Sequence, residues 1–138
     1  MAVHTDHAFR RPAQRLAALQ AAGAAASEPA GLAWMYWFTW ASPIFGGWLG
    51  SYHGLEIPYV FDNLEQPNIE LMTGGGAHLQ PLADAMADAW LAFARHGDPG
   101  WPAYDPAGDR ATMGFDLSSA PSTDPDPDLR AAWERLGL

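Results

Sequence analysis

Five histidines are the side chains of this sequence that titrate near neutral pH, and His53 has the most suggestive surroundings among them. It follows a long apolar run and a Gly-rich loop, and Glu56 comes three residues later. Loops after buried strands are where open α/β sheets collect their functional residues. An imidazole placed there can take the proton of a hydroxyl nucleophile, and the alternative is a loop histidine without chemistry.

The other four histidines favour simpler interpretations. His4 and His7 have the H-x-x-H spacing of a metal pair, but no third strong ligand lies nearby, which favours a solvated helix entrance. His78 follows three glycines and is consistent with a helix cap, and His96 suits the negative end of a helix. The sequence therefore predicts no metal site and no cofactor.

Composition excludes several classes of function. The net charge is -9, and the seven basic residues, all Arg, form no stripe that would bind nucleic acid. The lack of Cys excludes disulfides, zinc–thiolate sites and cysteine nucleophiles. Residues 29–51 are uncharged, but Pro43 and the Gly46-Gly47 pair interrupt any membrane-spanning helix. Because no secretory signal is recognisable either, a cytoplasmic location is favoured.

Three helices are predicted from apolar spacing and from end signals, over residues 5–20, 79–95 and 129–136. The second is the clearest, because Gly97 suits a left-handed cap and Pro99 prevents continuation. Asp128 is a candidate N-cap for the third. The apolar residues that share one face of the first helix are Phe9, Ala13, Leu16 and Ala17. Those that follow helical spacing in the second are Leu79, Leu82, Ala83, Met86, Trp90 and Phe93. The expected buried face of the third consists of Leu129, Trp133 and Leu136.

Two strands are predicted, over residues 32–40 and 111–116. The first is apolar on both faces apart from Thr39, which is typical of a strand inside a sheet that is covered on both sides. Two strands cannot provide such a sheet, so the chain is predicted to be part of a larger α/β fold. Loops are expected at 21–31, where the alanines allow a longer helix, at 41–52, and at the three glycines of 74–76.

Residues 49–64 resemble the histidine segment of the type-B carboxylesterases, the family that includes para-nitrobenzyl esterases and cholinesterases. The residues that match the family pattern are Gly50, His53, Gly54, Glu56, Ile57, Pro58 and Phe61. Further segments resemble the family in the same order, namely 5–13, 34–40, 82–99, 101–105 and 111–116. Agreement of several separate segments carries more weight than one motif.

The resemblance implies the C-terminal part of an α/β-hydrolase fold over residues 1–117, with an incomplete sheet. A Pro- and Asp-rich linker is expected at 118–128 and a terminal helix at 129–138. By the same resemblance the activity is carboxylic ester hydrolysis, with His53 as the general base of a serine triad. Because the histidine comes last in the chain order of this fold, the serine and the acid are expected upstream of Met1.

The sequence contains no serine with glycine two residues away on both sides, so no nucleophile elbow is present. The chain is therefore expected to be inactive alone and to act on a small carboxylic ester when an N-terminal esterase fragment completes it. The alternative is a non-catalytic remnant, or a binding module with the same fold.

Three residues near His53 are secondary candidates. Glu56 matches a glutamate of the family and is expected to order the loop, not to serve as the triad acid. Trp48 and Tyr52 flank the loop and are candidates for walls of an acyl or alcohol pocket, with ordinary packing as the alternative.

Overall fold

The computed structural model of the protein describes residues 2–24 and 31–137. The chain divides into two compact units, each built from separate stretches of sequence. Unit 1 consists of Met1–Met35, Pro102–Thr112 and Pro121–Leu138. Unit 2 consists of Tyr36–Trp101 and Met113–Ala120. His53 and the loop that precedes it therefore belong to unit 2.

The first helical region of unit 1 is longer than predicted. Helix α1 (Ala2–Thr5) is joined by a π-helical turn (Asp6–Arg10) to α2 (Arg11–Ala24), because the alanines continue the helix as far as residue 24. The rest of the predicted loop, residues 25–30, lies outside the described residues. Ala17 is buried with Met35 and Tyr104, as the helical spacing predicts.

Two larger side chains on the predicted apolar face of this region are not buried. Phe9 is 50% exposed and Leu16 is 69% exposed. The last helix of unit 1, α6 (Pro127–Arg135), begins earlier than predicted, with Asp126 as its N-cap residue. Its Trp133 is buried, whereas Leu136 is 69% exposed, contrary to the prediction.

The core of unit 2 is built on α5 (Gln80–His96), the helix that the apolar spacing predicts most clearly. Buried residues of this helix form one cluster with Tyr59 and Phe115; they are Leu82, Ala83, Met86 and Ala89. Trp90 and Phe93, which follow the same apolar spacing, are about half exposed, at 46% and 47%. The apolar stripe of the helix is thus wider than the surface that covers it in this chain.

A sheet of three strands has the order β1 (Met35–Phe38), β2 (Thr112–Phe115) and β3 (Ala120–Ser122). The prediction of only two strands is wrong, since β3 forms within the segment expected to be a linker. The Ser122 hydroxyl donates to the Thr112 carbonyl at 3.1 Å, so the hairpin folds an exposed, Pro-containing strand back onto β2. Strand β1, which the sequence predicts inside a covered sheet, lies at the edge of this one.

Short helices connect β1 to α5 in unit 2. After a 3-10 turn (Ile44–Gly47) come α3 (Ile57–Val60), α4 (Glu70–Thr73) and a second 3-10 turn (Ala77–Leu79). Gly74 has a φ of 81° and ends α4, so the first glycine of the predicted loop serves as a left-handed cap. Among the described helices, none is both long and apolar enough to cross a membrane.

Candidate functional site

His53 lies in the turn between β1 and α3, and its side chain is exposed. Backbone hydrogen bonds close the turn on both sides of it. The Leu55 N–H donates to the Tyr52 carbonyl at 3.1 Å, and the Ile57 N–H donates to the Gly54 carbonyl at 3.3 Å. Gly54 has a φ of 85°, a conformation that suits glycine. These hydrogen bonds hold the backbone of the turn, while residue 53 itself is exposed.

The residues after His53 anchor the turn from below. Leu55 and Tyr59 are fully buried, and the Tyr59 ring lies 5.1 Å from that of Phe38, on the strand that leads into the loop. Tyr59 therefore packs under the loop. Ile57 and Phe61 are not buried as Leu55 and Tyr59 are; they are 51% and 71% exposed.

Hydroxyl groups hold the segment that leads to His53. Ser42 is fully buried, and its hydroxyl donates to the Met72 carbonyl at 2.7 Å. The Tyr52 hydroxyl donates to the same carbonyl at 3.1 Å. Ser51 donates to the Phe38 carbonyl at 2.9 Å. Sequence reasoning missed these anchors, because nothing in the pattern indicates which carbonyl a loop hydroxyl will meet.

The two candidate pocket walls have different surroundings. Trp48 is 75% exposed, next to a turn in which Phe45 is 79% exposed and has a φ of 51°. Tyr52 is half-buried, and its hydroxyl is engaged by the Met72 carbonyl. Neither residue lines the cavity beside Glu56 or the groove beside Arg130, both of which are described below. Their role as pocket walls stays a prediction.

Glu56 starts α3 and faces a cavity. Its carbonyl accepts the N–H groups of Tyr59 and Val60, both at 3.0 Å. Its side chain lines a cavity of about 850 Å³ together with Tyr36 and Trp90. Burial, and then the negative charge of Glu56, raise the pKa of the Tyr36 phenol. The carboxylate is therefore close enough to act electrostatically on the strand before the loop.

The phenols around the loop are held in their neutral form. Burial raises the pKa of Tyr59 to about 12, an effect opposed by the Trp40 indole and increased by Tyr52. Burial also raises the pKa of Tyr52. The aromatic groups beneath the turn therefore carry no charge at neutral pH.

The other histidines lie against aromatic rings or at a helix end. His7 is 5.9 Å from Trp133, and His78 is 6.0 Å from Trp40, measured between ring centroids. A Cβ on Gly76 would come within 2.7 Å of the His78 ring, which explains the glycine. His96 lies exposed in the last turn of α5. The described residues include no group of three His, Asp or Glu side chains that could hold a metal ion.

Sequence comparison places these features among known proteins. A model of the carboxylesterase family matches residues 1–125. The chain is 32% identical over 133 residues to the para-nitrobenzyl esterase of Bacillus subtilis, covering 91% of this chain and 25% of that protein. It is 38% identical over 77 residues to the fumonisin B1 esterase of Sphingopyxis macrogoltabida, covering 49% of this chain and 14% of that protein.

Solved structures agree with the sequence matches. A carboxylesterase of Geobacillus stearothermophilus superposes with a TM-score of 0.78 at 33% identity, over 96% of this chain and 27% of that chain. A para-nitrobenzyl esterase superposes with a TM-score of 0.77 at 29% identity, over 92% of this chain and 25% of that chain. The chain thus has the fold of a fragment of an α/β-hydrolase, and it spans about a quarter of the esterases it matches.

Proposed function

The chain belongs to the carboxylesterase family, and on that premise we propose that it supplies the general-base histidine, His53, of a carboxylic ester hydrolase. The observation that carries the proposal is the way His53 is held. Its imidazole is exposed on a turn whose flanks are fixed by the fully buried Leu55 and Tyr59. A base must keep a set position while its ring nitrogens stay accessible to a nucleophile and to an acid.

In the proposed reaction His53 moves one proton in each half of the cycle. A serine hydroxyl attacks the acyl carbon and gives its proton to the imidazole, which then protonates the departing alcohol. Water attacks the acyl-enzyme in the same way, and the proton returns to the serine as the acid product leaves. A carboxylate on the second ring nitrogen fixes the tautomer and stabilises the cation.

The nucleophile of this proposal lies in another segment of the esterase. The hydroxyls of Ser42 and Ser51 both donate to backbone carbonyls, at 2.7 and 2.9 Å, and so serve to hold the loop. The sequence has no Gly-x-Ser-x-Gly pattern, and the chain spans about a quarter of its relatives. The serine and the acid therefore come from an upstream esterase segment that completes the sheet beyond β1.

The proposed substrate class is a small carboxylic ester. The relatives that this chain matches include a fumonisin B1 esterase and a phenmedipham hydrolase. Their names give different substrates, so this region of the family occurs in proteins that act on different compounds. Trp48 and Tyr52 are proposed as walls of the acyl or alcohol pocket once the upstream segment is present. Glu56 is proposed as a positioning residue for the loop of His53.

A complementation experiment tests this function. The Bacillus subtilis para-nitrobenzyl esterase is prepared without the region that matches this chain and mixed with the 138-residue chain. Hydrolysis of p-nitrophenyl acetate is expected from the mixture, from neither part alone, and not from a mixture containing His53→Ala. A mixture without turnover favours the non-catalytic alternative. Turnover by the chain alone that disappears in His53→Ala would contradict the absence of a nucleophile.

A further inference from the structure

Four of the seven arginines of this acidic chain line one groove in unit 1. The arginine groove, as we call it, has a volume of about 350 Å³ and is lined by Arg11, Arg15, Arg110 and Arg130. Glu134 is the one acidic residue among its walls, which also include Tyr104. The chain as a whole carries a net charge of -9, so this concentration of guanidinium groups opposes the overall composition.

At one wall of the groove, the positive charge of Arg130 is balanced by two carboxylates that also hold its side chain in place. Arg130 donates from Nε and Nη2 to the two carboxylate oxygens of Asp124, at 3.0 and 2.8 Å, and from Nη1 to Glu134 at 2.7 Å. The hydrogen bonds from Arg130 are the main cause that lowers the pKa of Asp124, and the charge of Arg110 lowers it by a smaller amount. The position of Arg130 is therefore fixed by its two carboxylate partners. The positive charge of Arg110 also acts on one of them, Asp124.

Two other guanidinium groups of the groove, those of Arg15 and Arg110, are not held in a close ion pair among the described residues. The ion pairs within 4.0 Å among the described residues are made by Arg10 and Arg130, and none involves Arg15 or Arg110. Arg15 lies one helical turn after Arg11 on α2, so two like charges face the same groove. Like charges at this spacing destabilise a helix slightly unless an anion lies between them.

The backbone of Arg110 has an uncommon conformation. Its φ is 47°, an uncommon conformation for a residue with a large side chain, and its N–H donates to the Asp105 carbonyl at 3.1 Å. Arg110 is half-buried, unlike most surface arginines. Backbone strain of this kind persists where the surroundings impose it, and it is concentrated at binding sites.

We infer that the arginine groove binds the phosphate group of a small polyanionic ligand. Guanidinium forks bind phosphate through paired, charge-assisted hydrogen bonds, which favours arginine over lysine for this purpose. The volume suits a compact ligand. A nucleic-acid strand is excluded because the positive charge is confined to one groove of an acidic chain. The groove contains no residue of the His53 loop, so this inference does not depend on the proposed hydrolase function.

Equilibrium dialysis of the 138-residue chain against radiolabelled inorganic pyrophosphate tests the site. Saturable binding is expected, and it should weaken when salt is raised from about 50 to about 200 mM. Arg15→Gln and Arg110→Gln are each expected to weaken binding by about tenfold, since each removes a charge-assisted hydrogen bond. The matched control is Arg135→Gln, which changes an exposed arginine outside the groove and should leave binding unchanged. Circular dichroism verifies that each variant is folded.

Flotation with vesicles of phosphatidic acid, compared with phosphatidylcholine alone, distinguishes the source of the phosphate. Pyrophosphate binding that is lost in the groove variants supports a free phosphorylated ligand. Vesicle binding that is lost in the same variants, without pyrophosphate binding, assigns the same phosphate chemistry to a lipid headgroup. The inference is overturned if neither probe binds at about 1 mM, or if Arg135→Gln weakens binding as much as Arg15→Gln does.

Discussion

The position of the turn that carries His53 is determined by the residues packed around it. Leu55 and Tyr59 are buried under the turn. In the segment that precedes the turn, the hydroxyls of Ser42 and Tyr52 both donate hydrogen bonds to the Met72 carbonyl. The family motif makes His53 the candidate base in the sequence, because the glycine, glutamate and proline of the motif have fixed offsets from the histidine. The hydroxyl anchors have no such pattern, since their acceptor lies 20 to 30 residues away.

Glu56 provides a prediction at the scale of one residue. In a joined esterase, the Bacillus subtilis para-nitrobenzyl esterase with its matching region replaced by this chain, Glu56→Gln is expected to lower kcat by about tenfold with KM nearly unchanged. The expected cause is loss of the charge that faces the strand before the loop, which shifts the turn without removing the base. Asp88→Asn is the matched control, because Asp88 lines the same cavity but not the turn. Equal losses in both variants would contradict a positioning role for Glu56.

Asp124 provides a prediction about pH. Because Arg130 lowers the pKa of this carboxyl in the folded chain, its contribution to stability is present above the ordinary value of 3.8 and is lost as pH falls through the lower folded value. Asp124→Asn should lower the free energy of unfolding by about 1–2 kcal/mol at neutral pH. It should also reduce the loss of stability below pH 3.8.

Urea unfolding followed by circular dichroism at several pH values measures the effect of Asp124→Asn. Asp128→Asn is the control, because Asp128 lies in the first turn of α6, the helix of Arg130, and no described arginine is paired with its carboxylate. A variant at position 124 with the full acid sensitivity of the original chain would contradict the assignment.

At the scale of elements, strong periodic patterns predicted the structure and weak ones did not. Helix α5 follows from its apolar spacing and from Gly97, and β2 from a short apolar run. Strand β3 was missed because Ala120–Ser122 is exposed, contains proline and forms only by folding back onto β2. Helix α4 was missed because four residues show no helical period. Trp90 is half exposed although it follows the apolar spacing, because spacing defines a stripe of the helix, whereas burial depends on what covers that stripe.

Two glycines provide a matched prediction for helices. Gly97 ends α5 with a φ of 72°, so Gly97→Ala is expected to destabilise the chain by about 1 kcal/mol, although its Cβ would meet no atom within 4 Å. Gly23 lies within α2, also with open space around it, so Gly23→Ala should stabilise by about 0.5–1 kcal/mol. Thermal unfolding of both variants tests the signs. Changes of the same sign would contradict the cap assignment.

At the scale of the whole molecule, large apolar side chains are exposed on both units. Among them are Leu16, Phe45, Trp48, Phe61 and Leu136. Strand β1 lies at the edge of its sheet, although its residues are apolar on both faces. These surfaces are consistent with a fragment whose remaining sheet and helices belong to the rest of an esterase.

The isolated chain is therefore expected to bind the dye ANS and to associate as its concentration rises, because exposed apolar surface favours both. Sedimentation velocity at two concentrations, with ANS fluorescence, measures these properties. The joined esterase is the control and should bind less dye per chain, since the surfaces are then covered. A monomeric chain that melts cooperatively and binds no dye would contradict this account of the exposed surfaces.

The most direct test of His53 as the base is steady-state hydrolysis of p-nitrophenyl acetate by the joined esterase, since covalent connection makes assembly of two chains unnecessary. His53→Ala should lower kcat by about 10⁴-fold or more, because the serine then has no proton acceptor. His96→Ala removes an exposed histidine at the end of α5 and should retain the activity. Activity in the His53→Ala joined esterase within about tenfold of the unsubstituted protein would contradict the assignment.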